Sequence, residues 1–302
     1  MSIKIALGEL KRIGVPTEEN LLLSKHSTFK IGGYCALAVF PQNKEELKAT
    51  IQTLKYHGIK YRVIGRGSNI IFSDEGYSGA LIFTSKMKTI IKLSDKEIYA
   101  EAGASLKSIA SFAQKNSLSG LEFAHGIPGS CGGGIYMNAG AYGGEISYVL
   151  KYSEYYDTEN DHFERLSAND HKFSYRHSIY EDKKNFILVA ACFALENGDP
   201  KAIKAVMNEN MQKRLEKQPI EYPSAGSAFK RPPNAYAAQM IDECGLKGFS
   251  VGDAQVSPKH AGFIINKGKA TAKDVKLLME LVKQEVVKKF GVELESEIEY
   301  ID

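Results

Sequence analysis

The chain has 302 residues, of which 43% are hydrophobic and 25% are charged, and its formal net charge is +3. This composition is ordinary for a soluble globular protein, and the length allows one large domain or two ordinary ones with a sizeable core. The small, evenly spread positive charge argues against nucleic acid or an anionic membrane as a partner, although it leaves room for local basic sites that bind small anions.

The cysteines and the N-terminus bear on the compartment. Cys35, Cys131, Cys192 and Cys244 form no CxxC pair, so a zinc site is disfavoured and we expect no metal. Scattered cysteines in a chain of this length are typical of reduced, buried thiols in a cytosolic protein. The apolar run at the N-terminus is too short for a signal peptide, and no stretch reaches the roughly 18 apolar residues of a membrane span. We therefore expect a cytoplasmic protein.

The predicted elements alternate between helices and strands, as is typical of an α+β protein. The first third is predicted to contain a short helix and a connector over 1–25, strands at 28–31 and 34–40, a helix opened by Asn43, and strands at 61–64, 70–72, 79–84 and 97–102. The middle is predicted to contain a helix over 105–116, strands at 148–156 and 185–195, and a helix over 201–216. The last third is predicted to contain an irregular loop over 219–233, a helix over 235–244, a strand at 260–266, a helix from Thr271 to Phe290 and a final strand over 294–301. The nearly continuous apolar run at 185–195 predicts a central strand. The polar turn signals at 196–200 predict a domain boundary.

The most unusual stretch is EFAHGIPGSCGGGIYMNAGAYGG, residues 122–144. It is rich in glycine but apolar, unlike a flexible linker. Glycine in such a segment marks backbone with positive φ or backbone with no room for a Cβ. The N–H groups of 129–130 and 132–134 are expected to point into one concavity that suits an anion such as a phosphate. A buried turn without a ligand is the alternative.

A second glycine motif, GRGSN at 65–69, follows the strand at 61–64. The dinucleotide-binding fingerprint of a Rossmann fold requires a third glycine and a following helix, whereas here Ile70 takes the third position and a strand follows. A Rossmann fold is therefore disfavoured. A phosphate at this turn would be held by turn N–H groups and by the side chains of Ser68 and Asn69, and a plain hairpin turn is the alternative.

Three more residues are candidates for chemistry. Arg176 lies in FSYRHSIY, where a guanidinium suits a carboxylate or phosphate, although it could equally be a surface arginine stacked on tyrosine. Ser227 lies in SAGSAFK, which is not the GxSxG of a serine hydrolase because Phe229 takes the last position, and an ordinary loop serine is the alternative. Glu297 has a glutamate two residues away on either side, a pattern typical of a solvated strand face.

Together, seven ordered motifs resemble the UDP-N-acetylenolpyruvoylglucosamine reductase family. They are HSTFKIGG, VIGRGSNIIFSDEGYSGALI, GLEFAHGIPGSCGGGIYMNAGAYGGEI, FSYRHSIY, SAGSAFKRPP, HAGFIIN and LESEIEYI, which span about residues 26–301. The short distance between FSYRHSIY and SAGSAFK is similar to that of the shorter, second-type members, which lack an extra substrate-capping loop. The resemblance implies that NADPH reduces a bound FAD, whose hydride then passes to the enolpyruvyl group of UDP-N-acetylglucosamine-enolpyruvate. The product would be UDP-N-acetylmuramate, a precursor of peptidoglycan.

The resemblance also implies the architecture. We expect a two-part FAD-binding domain of the vanillyl-alcohol-oxidase kind over 1–199, with subdomains at about 1–78 and 79–199. A smaller α+β substrate-binding domain follows over 200–302, and its last strand returns to the active site. The expected partners are the substrate and NADPH, with no nucleic acid, membrane or obligate protein partner.

Functional residues carry over by their motifs. The resemblance implies that Arg176 and Glu297 polarise the substrate carboxylate and stabilise an enolate-like intermediate, and that Ser227 donates a proton to the adjacent carbon. Glu297 must then be protonated or share a proton. The implied FAD contacts are Gly65, Arg66, Gly67, Ser68, Asn69, Gly126, Ile127, Pro128, Gly129, Ser130, Asn138, Ala139, Gly140 and Gly143. The implied substrate contacts are Tyr175, Lys217, Arg231 and His260, and Arg231 departs from the asparagine that is common at its position.

Two other functions stay open. One is a related FAD oxidase that acts on an alcohol or sugar and does not need Ser227 and Glu297 together. The other is a nucleotide-sugar binding protein that has lost its flavin and would be colourless.

Overall fold

The computed structural model describes residues 2–302 and divides the chain into two compact units. The first unit contains the chain up to Glu19 together with Ala36–Arg66 and Gly79–Gln212, and the second contains Asn20–Cys35, Gly67–Ser78 and Lys213–Asp302. Each unit is thus assembled from separate stretches of sequence. The assignment of a cofactor domain to 1–199 and a substrate domain to 200–302 stays a prediction.

The helices and strands have the following bounds. The helices are α1 (Ser2–Arg12), α2 (Lys44–Tyr56), α3 (Leu106–Lys115), α4 (Cys131–Tyr136), α5 (Ile179–Asp182), α6 (Pro200–Lys217), α7 (Ala237–Glu243) and α8 (Ala272–Phe290). The strands are β1 (Thr17–Leu22), β2 (Tyr34–Val39), β3 (Tyr61–Ile64), β4 (Ile70–Phe72), β5 (Tyr77–Phe83), β6 (Ile90–Ser94), β7 (Glu97–Glu101), β8 (Leu118–Ser119), β9 (Gly140–Ala141), β10 (Gly144–Glu145), β11 (Leu150–Asp157), β12 (His162–Ser167), β13 (Phe186–Ala194), β14 (Glu196–Asn197), β15 (Ser224–Ser227), β16 (Ser250–Val251), β17 (Ala254–Val256), β18 (Phe263–Asn266) and β19 (Glu299–Ile301). Short 3₁₀ turns occupy Leu23–His26, Thr84–Lys86, Glu122–Gly126, Ile146–Tyr148 and Ala168–His171.

The main sheet of the first unit is antiparallel and has the order β12-β11-β13-β7-β6. Strand β13 lies at its centre, as its apolar sequence predicted, and pairs with β11 on one side and β7 on the other. The apolar face of α3 contributes to the same hydrophobic core. A second core of this unit is built from residues of α1, α2 and the strands β2 and β5. Strands β3 and β5 pair in parallel.

The second unit is built around the antiparallel order β15-β18-β17-β16. The buried face of α8, which includes Val275, Leu278 and Val282, belongs to the core of this unit. Strand β4 pairs in parallel with β19, near the end of the chain. The register sets Ile70, directly after GRGSN, opposite Glu299 at the start of β19.

The strands that the sequence analysis did not predict lie mainly at sheet edges. β1, β6 and β12 each occupy the edge of a sheet, where one side of the strand is not paired and polar side chains are tolerated. Their sequences, TEENLL, IIKLS and HFERLS, therefore lack the alternation that predicts a half-buried strand. Strand β15 also lies inside the stretch predicted as an irregular loop.

Two predicted strands are wrong in whole or in part. The segment at 28–31 forms no strand, because the Thr28 N–H donates to the Gly67 carbonyl in a loop contact, 3.0 Å long. The final strand is shorter than predicted and comprises only Glu299–Ile301. Between 294 and 298, isolated loop contacts replace a continuous ladder.

The N-terminus of α8 is capped twice. The Thr271 hydroxyl accepts the Asp274 N–H at 3.0 Å, and the Asp274 carboxylate accepts the Thr271 N–H at 2.9 Å, so the two residues form a capping box. From an earlier segment of the same unit, the Asp74 carboxylate accepts the N–H groups of Ala272 at 2.8 Å and Lys273 at 3.1 Å. Asp74 thereby connects the segment that carries β4 to the longest helix of the unit.

We predict that Asp74→Ala lowers the free energy of unfolding by about 1–2 kcal/mol, because it removes two charge-assisted bonds to a helix N-terminus. Urea unfolding followed by circular dichroism measures the loss. Glu75→Ala is the matched control, since Glu75 is 83% exposed and its ion pair with Lys273 spans 3.5 Å. An equal loss in both variants would contradict the capping role.

Candidate active site

The glycine-rich stretch contains a short helix that the sequence did not predict. After the 3₁₀ turn at Glu122–Gly126, Ser130 caps α4, and its hydroxyl accepts the Gly133 N–H at 3.3 Å. The Gly132 N–H donates to the Ala102 carbonyl and the Gly134 N–H donates to the Ser130 carbonyl, both at 2.8 Å. The expectation that the N–H groups of 132–134 face an anion is therefore wrong, because the protein itself uses them.

Close packing explains several of these glycines. A Cβ on Gly144 would lie 2.6 Å from the Phe123 ring, and a Cβ on Gly134 would lie 3.1 Å from the Leu106 side chain. At the end of β3, a Cβ on Gly65 would lie 2.3 Å from the Ser130 hydroxyl that caps α4. The segments around α4 therefore pack so closely that a residue with a Cβ would clash at these positions.

A cavity of about 290 Å³ in the first unit brings together five residues that the sequence assigned to the cofactor, namely Arg66, Gly126, Ile127, Pro128 and Gly129. Four further lining residues were missed, namely Ser105, Lys107, His125 and Met211. Within residues 2–302, the Gly129 N–H donates to no acceptor. Lys107 carried a usable signal in the sequence, because a cation in the first turn of a helix opposes the helix dipole unless an anion is nearby.

Arg176 lies on a tight turn of the first unit. Ser174 and His177 exchange two backbone hydrogen bonds of 3.2 Å, and Arg176 between them has φ of 57°. A positive φ is unusual for arginine and persists only where the surroundings enforce it. The guanidinium carbon lies 5.0 Å from the centre of the Tyr175 ring, so the stacking that the sequence left open is present.

Asn138 connects the glycine-rich stretch to this turn. It is 1% exposed, and its side-chain amide donates to the Glu145 carboxylate at 3.1 Å and to the Ser174 carbonyl at 3.2 Å. Its side-chain oxygen accepts the Ser147 N–H at 3.0 Å. Its φ of 44° is tolerated by asparagine better than by most residues. Asn138 thus acts inside the protein, and a contact between Asn138 and a cofactor stays a prediction.

A buried histidine supports the base of the same turn. His171 is 0% exposed, and burial lowers its pKa, so the imidazole is neutral at neutral pH. Nδ1–H then donates to the Ser167 carbonyl at 2.7 Å, while Nε2 accepts from the Ser153 hydroxyl at 2.7 Å. Ser153 and the Tyr180 hydroxyl lie 2.6 Å apart, and the Phe173 ring stacks on the imidazole.

The second unit brings Asn69, Ser227 and Glu297 to neighbouring positions. Ser227 ends β15, and the carbonyl of the next residue, Ala228, accepts the Glu297 N–H at 3.0 Å. The Glu297 carbonyl accepts the Asn69 side-chain amide at 2.9 Å. The backbone of Glu297 is therefore held on both sides, although it lies outside β19.

The remaining predicted residues of the second unit have different surroundings. The Arg231 guanidinium carbon lies 4.6 Å from the centre of the Tyr236 ring. The His260 ring accepts the Gly262 N–H at 3.1 Å, and burial lowers the pKa of His260. Lys217 is exposed at the last position of α6.

Neither a metal-binding cluster nor a membrane-spanning helix is found among residues 2–302. No group of three or more His, Cys, Asp or Glu side chains within residues 2–302 is arranged to hold a metal ion. None of the helices in that range combines the length and hydrophobicity that a membrane crossing requires.

We predict that Asn138→Asp lowers the free energy of unfolding by about 1–3 kcal/mol, because it removes a buried donor and faces the Glu145 carboxylate with a second one. The loss should be larger at neutral pH than in acid, where protonation relieves the repulsion. Thermal unfolding at both pH values measures it. Asn234→Asp is the control, since Asn234 also has a positive φ (56°) but is exposed. A loss of similar size in both variants would mean that the backbone conformation, not the buried amide, matters.

Comparisons with known proteins agree with this geometry. The model of an FAD binding domain matches residues 35–158, and the model of the C-terminal domain of UDP-N-acetylenolpyruvoylglucosamine reductase matches 218–301. The reductase of Clostridium novyi is 46% identical over 94% of this chain and 92% of its own length. That of Lactobacillus gasseri is 42% identical over 99% of this chain and 98% of its own.

Solved structures extend the likeness to the fold. The crystal structure of the reductase from Thermus caldophilus is 33% identical, covers 95% of this chain and 99% of its own, and superimposes with a TM-score of 0.80. A BBE-like 1 protein of Physcomitrella patens, 15% identical over 64% of this chain and 44% of its own, shares the fold alone with a TM-score of 0.51. The predicted class is confirmed: an α+β chain with an FAD-binding fold of the vanillyl-alcohol-oxidase kind. The chain belongs to the UDP-N-acetylenolpyruvoylglucosamine reductase family.

Proposed function

We propose that the protein reduces the enolpyruvyl group of UDP-N-acetylglucosamine-enolpyruvate to UDP-N-acetylmuramate, with FAD as cofactor and NADPH as hydride donor, in the synthesis of peptidoglycan precursors. One observation carries this proposal: the match to the Clostridium novyi reductase extends over 94% of the chain. The match therefore includes both the FAD-binding part and the C-terminal domain. The chain thus has a segment for flavin reduction and a segment for reduction of the substrate.

The first unit fits a flavin dinucleotide. Glycine backbone forms one wall of the cavity, the Gly129 N–H is available as a donor, and Arg66 and Lys107 supply positive charge for a diphosphate. When bound, FAD supplies the ring that accepts a hydride from NADPH and passes it to the substrate. The chain's own contribution here is to bind and orient the dinucleotide.

Arg176 has the role of a fixed cation beside the substrate carboxylate. Negative charge builds up on that carboxylate when a hydride adds to the enolpyruvyl double bond, and a cation already in place stabilises the transition state more than the ground state. The reciprocal Ser174–His177 bonds and the buried amide of Asn138 support this role, because they hold the turn before any substrate arrives.

Ser227 and Glu297 have complementary roles. After one carbon of the double bond receives the hydride, its neighbour needs a proton, and the Ser227 hydroxyl donates it. Glu297 assists the substrate carboxylate only if it holds or shares a proton, because a second anion would repel the developing charge. The two backbone bonds that fix Glu297, to Ala228 and Asn69, support a defined position for its side chain.

Four residues are proposed to contact the rest of the substrate. Lys217, the last residue of α6, is proposed to contact the nucleotide phosphates, and Tyr175, which stacks with Arg176, is proposed as a further contact. Arg231, stacked on Tyr236, adds charge on the diphosphate side, and His260 lies on a turn before β18. The motifs of the family support these four contacts.

We place the reaction in the cytoplasm. Cys35, Cys131 and Cys192 are buried free thiols, which suits a reducing compartment.

The first test is a visible spectrum of the purified protein without oxygen. We expect flavin bands that bleach with NADPH and return on addition of UDP-N-acetylglucosamine-enolpyruvate, but not of UDP-N-acetylglucosamine. Bands that return only with oxygen would favour the oxidase alternative. A colourless protein that takes up no FAD would contradict the proposal and favour a binding protein.

Ser227→Ala separates the two half-reactions. We expect bleaching by NADPH to keep its rate, while the return of the bands with the enolpyruvyl substrate slows by about a hundredfold or more, because the proton donor is missing. Stopped-flow absorbance measures both rates. Ser224→Ala, on the same strand β15, is the control and should leave both rates unchanged. An unaffected second half-reaction in Ser227→Ala would show that another group donates the proton.

A further inference from the structure

One buried hydroxyl group connects the two ends of the segment that carries Arg176. Ser153, on β11, is 0% exposed, and its Oγ lies 2.7 Å from Nε2 of His171 and 2.6 Å from the hydroxyl of Tyr180. His171 precedes the turn that contains Arg176, and Tyr180 follows that turn in α5. We refer to His171, Ser153 and Tyr180 as the clamp.

The directions of the hydrogen bonds in the clamp follow from the donors and acceptors around it. The Ser167 carbonyl can only accept, so the bond of 2.7 Å to it requires a proton on Nδ1 of His171. In the neutral imidazole Nε2 is then an acceptor, and the Ser153 hydroxyl donates to it. The Ser153 oxygen can in turn accept the hydroxyl of Tyr180, so every donor in the chain has an acceptor.

Protonation of His171 breaks this arrangement. Nε2–H then donates to the Ser153 oxygen, and the hydroxyl hydrogen of Ser153 must turn towards Tyr180. Tyr180 is 3% exposed, and among residues 2–302 its hydroxyl has no hydrogen-bond partner other than Ser153. One buried O–H group therefore loses its acceptor, which is unfavourable for the closed clamp.

The uncharged groups around His171 do not stabilise a positive charge by an ion pair. The 3₁₀ turn that ends at His171 packs against β11, β12 and α5. The Phe173 ring stacks on the imidazole with 4.9 Å between the ring centres. Tyr155 of β11 lies beside Tyr180 at 6.3 Å, and burial raises the pKa of both phenols, so both are neutral.

The charged groups near His171 do not reverse this effect. Burial lowers the pKa of His171, and it outweighs the opposite effects of the carbonyl groups of the turn and of Asp170. The Asp170 carboxylate itself accepts the Ser167 hydroxyl at 2.5 Å. Charged side chains on the packed strands and helix pair with other neighbours, namely Lys151 with Glu97, Arg165 with Glu154, Glu164 with His162 and Asp182 with His177.

We propose that His171 is a positioning residue of the reaction: through Ser153 and Tyr180 its neutral imidazole holds the turn that presents Arg176 to the substrate carboxylate. The inference rests on the proposed function for the role of Arg176, whereas the clamp itself requires no ligand. Asn138 holds the same turn through the Ser174 carbonyl, but its amide does not titrate. The clamp therefore adds a connection that responds to pH.

The pH dependence of the clamp has a defined sign. In the closed clamp, burial keeps the pKa of His171 below its ordinary value of 6.5, to which the pKa returns when the segment opens to water. Opening therefore takes up a proton, so acidification favours the open form from pH 6.5 down to the lower pKa of the closed form. Above pH 6.5 this residue makes the clamp neither weaker nor stronger.

Nitrogen NMR of the full-length protein labelled with ¹⁵N-histidine tests the clamp without a measurement of activity. The signals of His171 are those missing from the spectrum of His171→Gln. At about pH 8 we expect them to show the Nδ1–H tautomer, and on acidification His171 should titrate at a lower pH than the half-exposed His162. An Nε2–H tautomer, or a titration at the pH of His162 or above it, would overturn the inference.

Stopped-flow absorbance between about pH 8 and about pH 5 tests the effect on the reaction. With saturating enolpyruvyl substrate, reoxidation of the reduced flavin should slow about tenfold on acidification in the wild type, because a displaced Arg176 stabilises the transition state less. Reduction of the flavin by NADPH should change less. His171→Gln, whose amide can accept the Ser153 hydroxyl but does not titrate, should keep most of the rate at high pH and lose only about twofold in acid.

Two further variants complete this test. His162→Gln, a histidine on β12 outside the clamp, should show the same acid loss as the wild type. Ser153→Ala removes the shared hydroxyl, so reoxidation should already be about tenfold slower at high pH. An equal acid loss in the wild type and His171→Gln, or an unchanged rate in Ser153→Ala, would contradict the inference and leave the proposed function intact. A wild type that the enolpyruvyl substrate reoxidises at no pH would contradict the proposed function, while the NMR measurement still decides whether the clamp exists.

Discussion

Three parts of the first unit depend on the close packing around Ser130. Its hydroxyl caps α4, the neighbouring Gly129 carbonyl accepts the N–H of Leu106 at the start of α3, and the end of β3 passes so near that Gly65 has no room for a Cβ. The end of β3 carries Arg66, the start of α3 carries Lys107, and the link before Ser130 carries the glycine wall. The close packing around Ser130 therefore brings the end of β3, the start of α3 and the glycine-rich link to the same cavity.

The two units solve the problem of positioning side chains in a similar way. In the first, the turn that carries Arg176 lies outside regular structure and is held by side chains, chiefly the buried amide of Asn138. In the second, Glu297 also lies outside a strand and is held by the Ala228 carbonyl and the Asn69 amide. In both cases an asparagine supplies the bond that a strand ladder would otherwise provide. Each asparagine thus holds a segment that lies outside regular secondary structure.

The sequence predicted those elements whose structure depends on local patterns of residues. It predicted less well those elements whose structure depends on contacts between distant segments. The capping box of α8, the central position of β13 and the bounds of β3 and β4 follow from local pattern. The edge strands and helix α4 do not, because polar edge sequences resemble loops and because a helix of glycines has low intrinsic propensity and forms through its cap and its packing. Likewise, motifs identified the glycine wall of the cavity. His125 was missed because only the tertiary structure brings the 3₁₀ turn and α3 to the same cavity. Lys107 had a signal, a cation in the first turn of a helix, but that signal does not say which segments lie beside it.

The division of each unit among separate stretches of chain bears on the order of events during biosynthesis. The second unit combines Asn20–Cys35 and Gly67–Ser78 with the last third of the protein, and Asn69 meets Glu297 across a sequence separation of 228 residues. Early segments of this unit therefore leave the ribosome long before the strands and helices that they pack against exist. Contacts of such high sequence separation form slowly and keep apolar residues such as Phe29 and Ile31 uncovered in the meantime. The nascent chain is thus exposed to aggregation until the C-terminal segments of this unit have been synthesised.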